Sequence, residues 1–344
     1  MVEIDFRCGI LGSTDKVLTF AEEVENLGYG GLWFSHSVGR DFRRHDTLML
    51  LAAVAARTSR IKLGTGVFQA CLYPPVALTR MLTTIDHLSN GRLMLGVGTG
   101  WVPKEFENLG VPFRERAGRT DEALEIIKRL WTEKEVTYEG KYYKIREAKL
   151  DPKPVATPHP KILMGGVYNK GQRGAPGEKT PKVWSEKALR RLARFADGWV
   201  TPSSIDFEDA PEVLPEAMER IKAAAREIGR IITDEEFILV AESGPFNIDE
   251  SKEKALQDAE QAYLYRTAGG FFQVAGNPSF EQLLSAGVCG PAEDVAAFVN
   301  KWLAMGKSVP ALKRIQFNIA STDPVEQLRR FHTQVRPMLT GAAP

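Results

Sequence analysis

The sequence predicts an α/β fold closed into a (β/α)8 TIM barrel, and three observations predict it. Short β-branched or apolar runs alternate with helical periods, eight such pairs can be counted, and no large compositional break divides them. At 344 residues the chain is long for a minimal unit, but barrels run past roughly 250 residues as one domain. A single domain over 1–344 is therefore expected, with segments inserted after the fourth, fifth and seventh strands.

The strands are read at IDFRCGI (4–10), GLWFS (31–35), IKLGTGV (61–67), RLMLGVG (92–98), KILMGG (161–166), GWVTP (198–202), EFILVAE (236–242) and RIQFNIA (314–320). Helices fill the gaps. Ser185 is placed to cap SEKALRRLARFA, whose Leu189, Leu192 and Phe195 or Ala196 share one face. Pro291 and Pro324 are read at the first position of two later helices. Three segments exceed a minimal barrel. In 132–160, VTYEGKYYKI reads as a hairpin about Glu139-Gly140, and the four prolines of PKPVATPHP form an extended linker. Segment 167–184 is glycine-rich and basic, with Lys170, Arg173, Lys179 and Lys182, and reads either as a binding loop or as a solvated surface loop. Segment 250–290 is aromatic-rich and reads as the wall of a pocket or an oligomer contact.

Composition narrows the function classes. Forty-five basic residues against 44 acidic ones leave a net charge of +1, so no strong field draws the chain to nucleic acid or an anionic membrane. A small-molecule partner is expected. MVEIDFRCGI lacks a signal-peptide layout, and no apolar run reaches the ~20 residues of a membrane span, so the expected location is cytoplasmic. Cys8, Cys71 and Cys289 are too scattered for a disulfide frame or zinc site. No His-x-x-x-His, Cys-x-x-Cys or Asp-x-Asp spacing supports a metal, and no G-x-S-x-G supports a serine hydrolase.

Barrel enzymes place their chemistry at the C-terminal strand ends. Those ends here are Ser35-His36-Ser37, Gly64-Thr65-Gly66-Val67, Gly98-Thr99-Gly100-Trp101 and Met164-Gly165-Gly166. Glycines at successive ends remove side chains from one side of the mouth, where a planar ring can lie against backbone. Tight turning at a rim explains one or two of them equally well. His36 is the only one of five histidines at a strand end and is the candidate acid or base. Gly165, Gly166 and Ser185 together offer backbone N–H groups, a hydroxyl and a helix N-terminus for phosphate, although Ser185 also serves as a plain cap. Phe34, Phe68, Tyr73 and Trp101 lie near strand ends and suit an apolar or ring-bearing substrate, or barrel-to-helix packing.

At these residues the sequence resembles the bacterial luciferase-like family of flavin and deazaflavin oxidoreductases. The likeness runs through GRLMLGVGTGWVPKEFENLGVPFRERAGRTDEALEIIKRLW, PKPVATPHPKILMGG, SEKALRRLARFADGWV and VCGPAEDVAAFVNKWLAMG. It implies an oxidoreductase binding coenzyme F420, or alternatively reduced FMN, at the barrel mouth. It further implies His36 beside the reactive face, though Ser35 stands where relatives often have an acid. Gly66-Val67 falls at the bulged, sometimes cis, peptide that backs the ring in deazaflavin relatives, and Gly98-Thr99-Gly100 falls at the flavin-side loop. Trp101 replaces the acidic residue of the family's sugar-phosphate dehydrogenases, which disfavours that substrate class.

Two reactions follow from the resemblance. F420-dependent hydride transfer, with His36 protonating or orienting a substrate oxygen, is the leading expectation. FMN-dependent monooxygenation, served by a separate flavin reductase, is the alternative. A non-catalytic flavin-binding barrel is the alternative from another class. The family resemblance also implies a homodimer or larger homo-oligomer.

Overall fold

In the computed structural model the described residues are 1–9, 13–39, 44–170, 182–202, 205, 207–268 and 279–341. Strands β1 (Glu3–Arg7), β2 (Gly31–Phe34), β3 (Lys62–Thr65) and β4 (Leu93–Val97) are followed by a hairpin, β5 (Val136–Glu139) and β6 (Lys144–Ala148). Next come β7 (Lys161–Met164), a second hairpin of β8 (Tyr168–Lys170) and β9 (Lys182–Trp184), then β10 (Gly198–Val200), β11 (Ile238–Ile248), β12 (Val288–Gly290) and β13 (Leu312–Ile319). The helices are α1 (Thr14–Asn26), α2 (Thr47–Arg57), α3 (Pro75–Ser89), α4 (Pro103–Asn108), α5 (Arg116–Thr132), α6 (Glu186–Phe195), α7 (Ala210–Glu227), α8 (Lys252–Ala268), α9 (Phe280–Leu284), α10 (Ala292–Ser308) and α11 (Pro324–Arg330).

Eight parallel strands run β1-β2-β3-β4-β7-β10-β11-β13, and β13 pairs back onto β1. The sheet is a closed (β/α)8 barrel. All eight strands read from sequence are barrel strands. Closure leaves no edge, and alternation along each strand divides its side chains between an inner and an outer core. Trp33, Met94, Leu163, Val200 and Val240 form the inner cluster. Trp33 fills most of it because Gly64 on the next strand has no Cβ; one built there would lie 2.2 Å from the indole. The indole Nε1 donates to Asp5 at 2.7 Å, and Arg314 pairs with the same carboxylate at 2.7 Å. Outside, Leu32, Leu95 and Leu239 pack under helical residues such as Leu189, Leu192 and Val213.

The hairpin about Glu139-Gly140 is present, and Ser185 caps α6 by accepting from the Ala188 N–H at 3.3 Å. Two boundaries differ from the sequence reading. Pro291 sits at the cap of α10 rather than inside its first turn. Strand β11 continues past Glu242 through Ser243-Gly244-Pro245, a turn signal in sequence, to Ile248. The continuation is possible because Gly244 admits the Ala286–Gly287 backbone, and the register against β13 shifts between Glu242 and Pro245. Arg173 and Lys179 of the basic segment lie outside the described residues, as do the side chains of Lys170 and Lys182 and the stretch 269–278. No described helix is long and apolar enough to cross a membrane.

Candidate active site

A cavity of about 540 Å³ opens over the C-terminal ends of the barrel strands. Arg7, the last residue of β1, organises its floor. Its guanidinium donates to Ser35 Oγ at 2.6 and 3.0 Å and to the Gly66 carbonyl at 2.5 Å, and it forms an ion pair with Glu242 on β11. The two charged side chains are only 16% and 11% exposed, so each needs the other: an unpaired charge at such depth is strongly destabilising. Ser35 thus meets the guanidinium through its hydroxyl, while Glu242 supplies the counter-charge from across the barrel.

His36 follows β2 and is buried. Its Nδ1 faces Gln69 Oε1, and its Nε2 lies 3.0 Å from the Tyr73 hydroxyl. Gln69 is oriented in turn, because its Nε2 donates to Glu105 Oε2 at 3.1 Å, leaving only its oxygen to meet the histidine. An acceptor at Nδ1 holds the ring proton there and leaves Nε2 to accept. Glu105, on α4, is fully buried and also receives the Val38 N–H and the Ser37 hydroxyl at 3.2 and 3.3 Å. Burial pushes the Tyr73 phenol up to about 12, and the nearby Asp46 and Glu105 carboxylates add to the rise. Phe68 backs the imidazole with ring centroids 4.2 Å apart.

The predicted residues separate into those on the cavity wall and those behind it. Ser35, His36, Gly66, Val67, Gly100, Trp101, Gly165 and Gly166 line the cavity. The Gly66–Val67 peptide is cis. Gly166, at φ +81°, has open space where a Cβ would stand. Gly98 is different: a Cβ there would lie 2.6 Å from Val67, so this glycine makes room for the chain's own ledge. Thr99 offers its carbonyl to the Cys71 thiol, while Phe68 and Tyr73 stand behind His36. Phe34 belongs to the outer core. Ser185 is not on the cavity wall and serves as the α6 cap, its N–H bonded to the Val167 carbonyl at 2.9 Å. Arg7, Gln69, Glu105 and Glu242 were not singled out from sequence. The available signal was a charge at or near the end of an apolar strand for Arg7 and Glu242.

The closed barrel and its polar mouth define a pocketed α/β enzyme scaffold. The family model described as luciferase-like monooxygenase matches residues 10–287, and the chain belongs to that family. Uncharacterised proteins of Mycobacterium tuberculosis are 36% identical over 176 residues, covering 51% of this chain and 56% of theirs. The match therefore spans little more than half the length of those relatives. An F420-dependent glucose-6-phosphate dehydrogenase of Kineococcus radiotolerans is 28% identical over 94% of this chain and 93% of its own. An FMNH2-dependent dimethylsulfone monooxygenase of Pseudomonas putida is 31% identical over 39% of this chain and 37% of its own. The solved structure of an F420-dependent secondary alcohol dehydrogenase, in complex with an F420–acetone adduct, superposes with a TM-score of 0.77. It covers 99% of this chain and 100% of that one at 16% identity. The family thus contains both F420-dependent and FMN-dependent oxidoreductases.

Proposed function

We propose that this chain is a coenzyme F420-dependent oxidoreductase that transfers hydride to or from a small organic substrate. The observation that carries the reading is the side-chain-free ledge of Gly66, Gly165 and Gly166 on the wall of the cavity that also exposes His36. Those residues fit a flat ring. The volume lies within the ~300–1,000 Å³ usual for ligand pockets, a Cβ at Gly166 would project into open space, and the Ser243 hydroxyl on the wall is buried with no partner among the described residues. Full-length similarity to the Kineococcus dehydrogenase supports F420 over FMN. When bound, the deazaflavin supplies hydride transfer and reduced FMN would supply oxygen activation.

The chain's own residues then have definable roles. Val67 and the glycines would back the ring, and Arg7 would hold the Gly66 carbonyl in place. His36 lies on the cavity wall with Nε2 engaged by Tyr73 behind it, so the imidazole would meet a substrate oxygen by exchanging the phenol for the substrate, with Gln69 holding Nδ1. Trp101 and Pro202 extend the wall where substrate would rest.

Titration of the purified protein with F420 and with FMN, followed by fluorescence quenching, tests the reading. Quenching by F420 with none by FMN is expected, and the reverse pattern would move the protein to the monooxygenase reading. His36→Ala should lower turnover by roughly 10²-fold while leaving F420 affinity within about twofold. Cofactor binding without turnover on any carbonyl, enone or sulfur substrate would favour a non-catalytic flavin-binding role.

A further inference from the structure

A second cavity, about 470 Å³, lies beside the first between the end of β1, helices α1 and α8, and the segment after β13. Arg7, Ala262 and Arg266 line both spaces, so they share a wall. Charge in the second cavity has one sign. Arg7, Arg266 and Lys16 line it together with the Ser321 and Thr322 residues, and no described carboxylate does. Arg7 is neutralised by Glu242. Arg266 is not: its one hydrogen bond among the described residues runs from Nη2 to the Ile319 carbonyl at 3.0 Å.

The stretches adjoining this wall in the chain, 10–12 and 269–278, contain no Asp or Glu. The carboxylate beside Ser321 and Thr322, Asp258, is already occupied by both hydroxyls and by Asn247. Burial disfavours the charged form of Arg266, and the neighbouring Arg7 charge adds to the effect. A half-buried guanidinium beside another, with no carboxylate partner among the described residues, is destabilising until an anion arrives.

Barrel order fixes where such an anion sits. Arg7 ends β1 and Ile319 ends β13, which are neighbours, whereas Gly165 follows β7, at the opposite side of the ring of strands. If the ring lies on the glycine ledge, as the function proposed above requires, Arg266 faces it across the mouth. We propose that Arg266, with Lys16, binds an oxyanion of the substrate, so that the protein acts on organic acids whose carboxylate or phosphate occupies the second cavity while the reacting end reaches the first. Arg7 is committed to Glu242 and the two hydroxyls to Asp258, so the guanidinium of Arg266 and the ammonium of Lys16 are the groups on this wall left to meet such an anion.

Calorimetric titration with inorganic phosphate and with acetate, on the wild type, Arg266→Met and Arg266→Lys, tests this. Phosphate is expected to bind the wild type, to weaken at least tenfold in Arg266→Met and to recover within about threefold in Arg266→Lys, with acetate following the same order more weakly. The lysine variant keeps the test decisive should the methionine variant misfold. Affinities for F420 and FMN are expected to stay within twofold in both variants. Equal phosphate affinity in all three proteins overturns the proposal, and so does a tenfold loss of cofactor affinity in Arg266→Met, because the anion is then the cofactor's own. Arg266-dependent phosphate binding with no quenching by either cofactor would leave the anion site standing and remove the redox reading.

Discussion

Gln69 illustrates how an uncharged side chain sets the state of its neighbour. Glu105 accepts from its amide nitrogen, so its oxygen is presented to His36, and the imidazole tautomer follows. Replacing Gln69 with Leu removes that instruction without adding charge. On the proposed reaction, kcat should fall roughly tenfold and the acidic limb of its pH profile should move, with cofactor affinity unchanged within about twofold. A purely structural role would instead lower stability and leave the profile in place, which steady-state kinetics across pH and a thermal melt together resolve. His36 was legible in the sequence because strand ends are where barrels keep reactive groups. Its partners were not, because Gln69 and Glu105 lie 33 and 69 positions further along the chain, and only the closed sheet brings them together. Arg7 and Glu242 were hidden for the same reason: each is an unremarked charge in an apolar run until the other is placed opposite it.

Among the elements, α8 holds its position through Asp258. That carboxylate receives the Ser321 and Thr322 hydroxyls at 2.6 Å each, the Thr322 N–H at 3.1 Å and the Asn247 amide at 2.7 Å. Burial alone would raise its pKa, but the hydrogen bonds outweigh it and hold the group below its ordinary 3.8. A depressed carboxylate stabilises the fold above the unfolded-state pKa, and that stability is lost as pH falls through the folded-state value. The wild type should therefore be more resistant to urea than Asp258→Asn at pH 6, and the gap between their midpoints should close below about pH 4. A gap that stays constant on acidification would show that the ionised carboxylate is not what anchors the helix. The elements themselves were well signposted, since each barrel strand carried an apolar run bounded by turn residues. The glycines of GRLMLGVGTGW were harder to interpret. Sequence shows that a side chain is missing; it does not show whether ligand or chain fills the gap. Gly96 admits the Thr65 backbone and Gly98 admits Val67, so the chain itself occupies those two spaces; of the three glycines on the cavity wall, a Cβ at Gly66 would meet Gln316 at 3.6 Å, one at Gly165 would press on Val67 at 3.2 Å, and Gly166 has open space in its place.

For the molecule as a whole, local pattern predicts closure without naming the strand pairs that make it. Eight alternations without a compositional break favour a closed sheet over an open one, and the pairing of β13 with both β1 and β11, in register from Glu3–Arg314 to Arg7–Asn318 on one side, supplies the closure. The same strand contributes Arg314 to Asp5 inside the barrel and Phe317 to the aromatic cluster outside it. Phe331, just beyond α11, packs edge-on against Phe6 at 5.6 Å and lies 5.1 Å from Phe246, joining the last turns of the chain to its first strand. A chain ending at Ser308 would lose all of this. Burying each such phenylalanine contributes about 1.5–3 kcal/mol, and the opened barrel would expose two strand edges besides. Set against a total stability of roughly 5–15 kcal/mol, the deletion should abolish cooperative unfolding. Helical far-UV signal would persist in part, the near-UV signal of Trp33 and Trp199 would collapse, and the cavity over the strand ends would vanish with its floor. A truncated chain that melts cooperatively near the full-length temperature would mean that the remaining strands close without β13, and that Arg7 reaches Ser35 and Glu242 by a route other than the pairing of the first strand with the last.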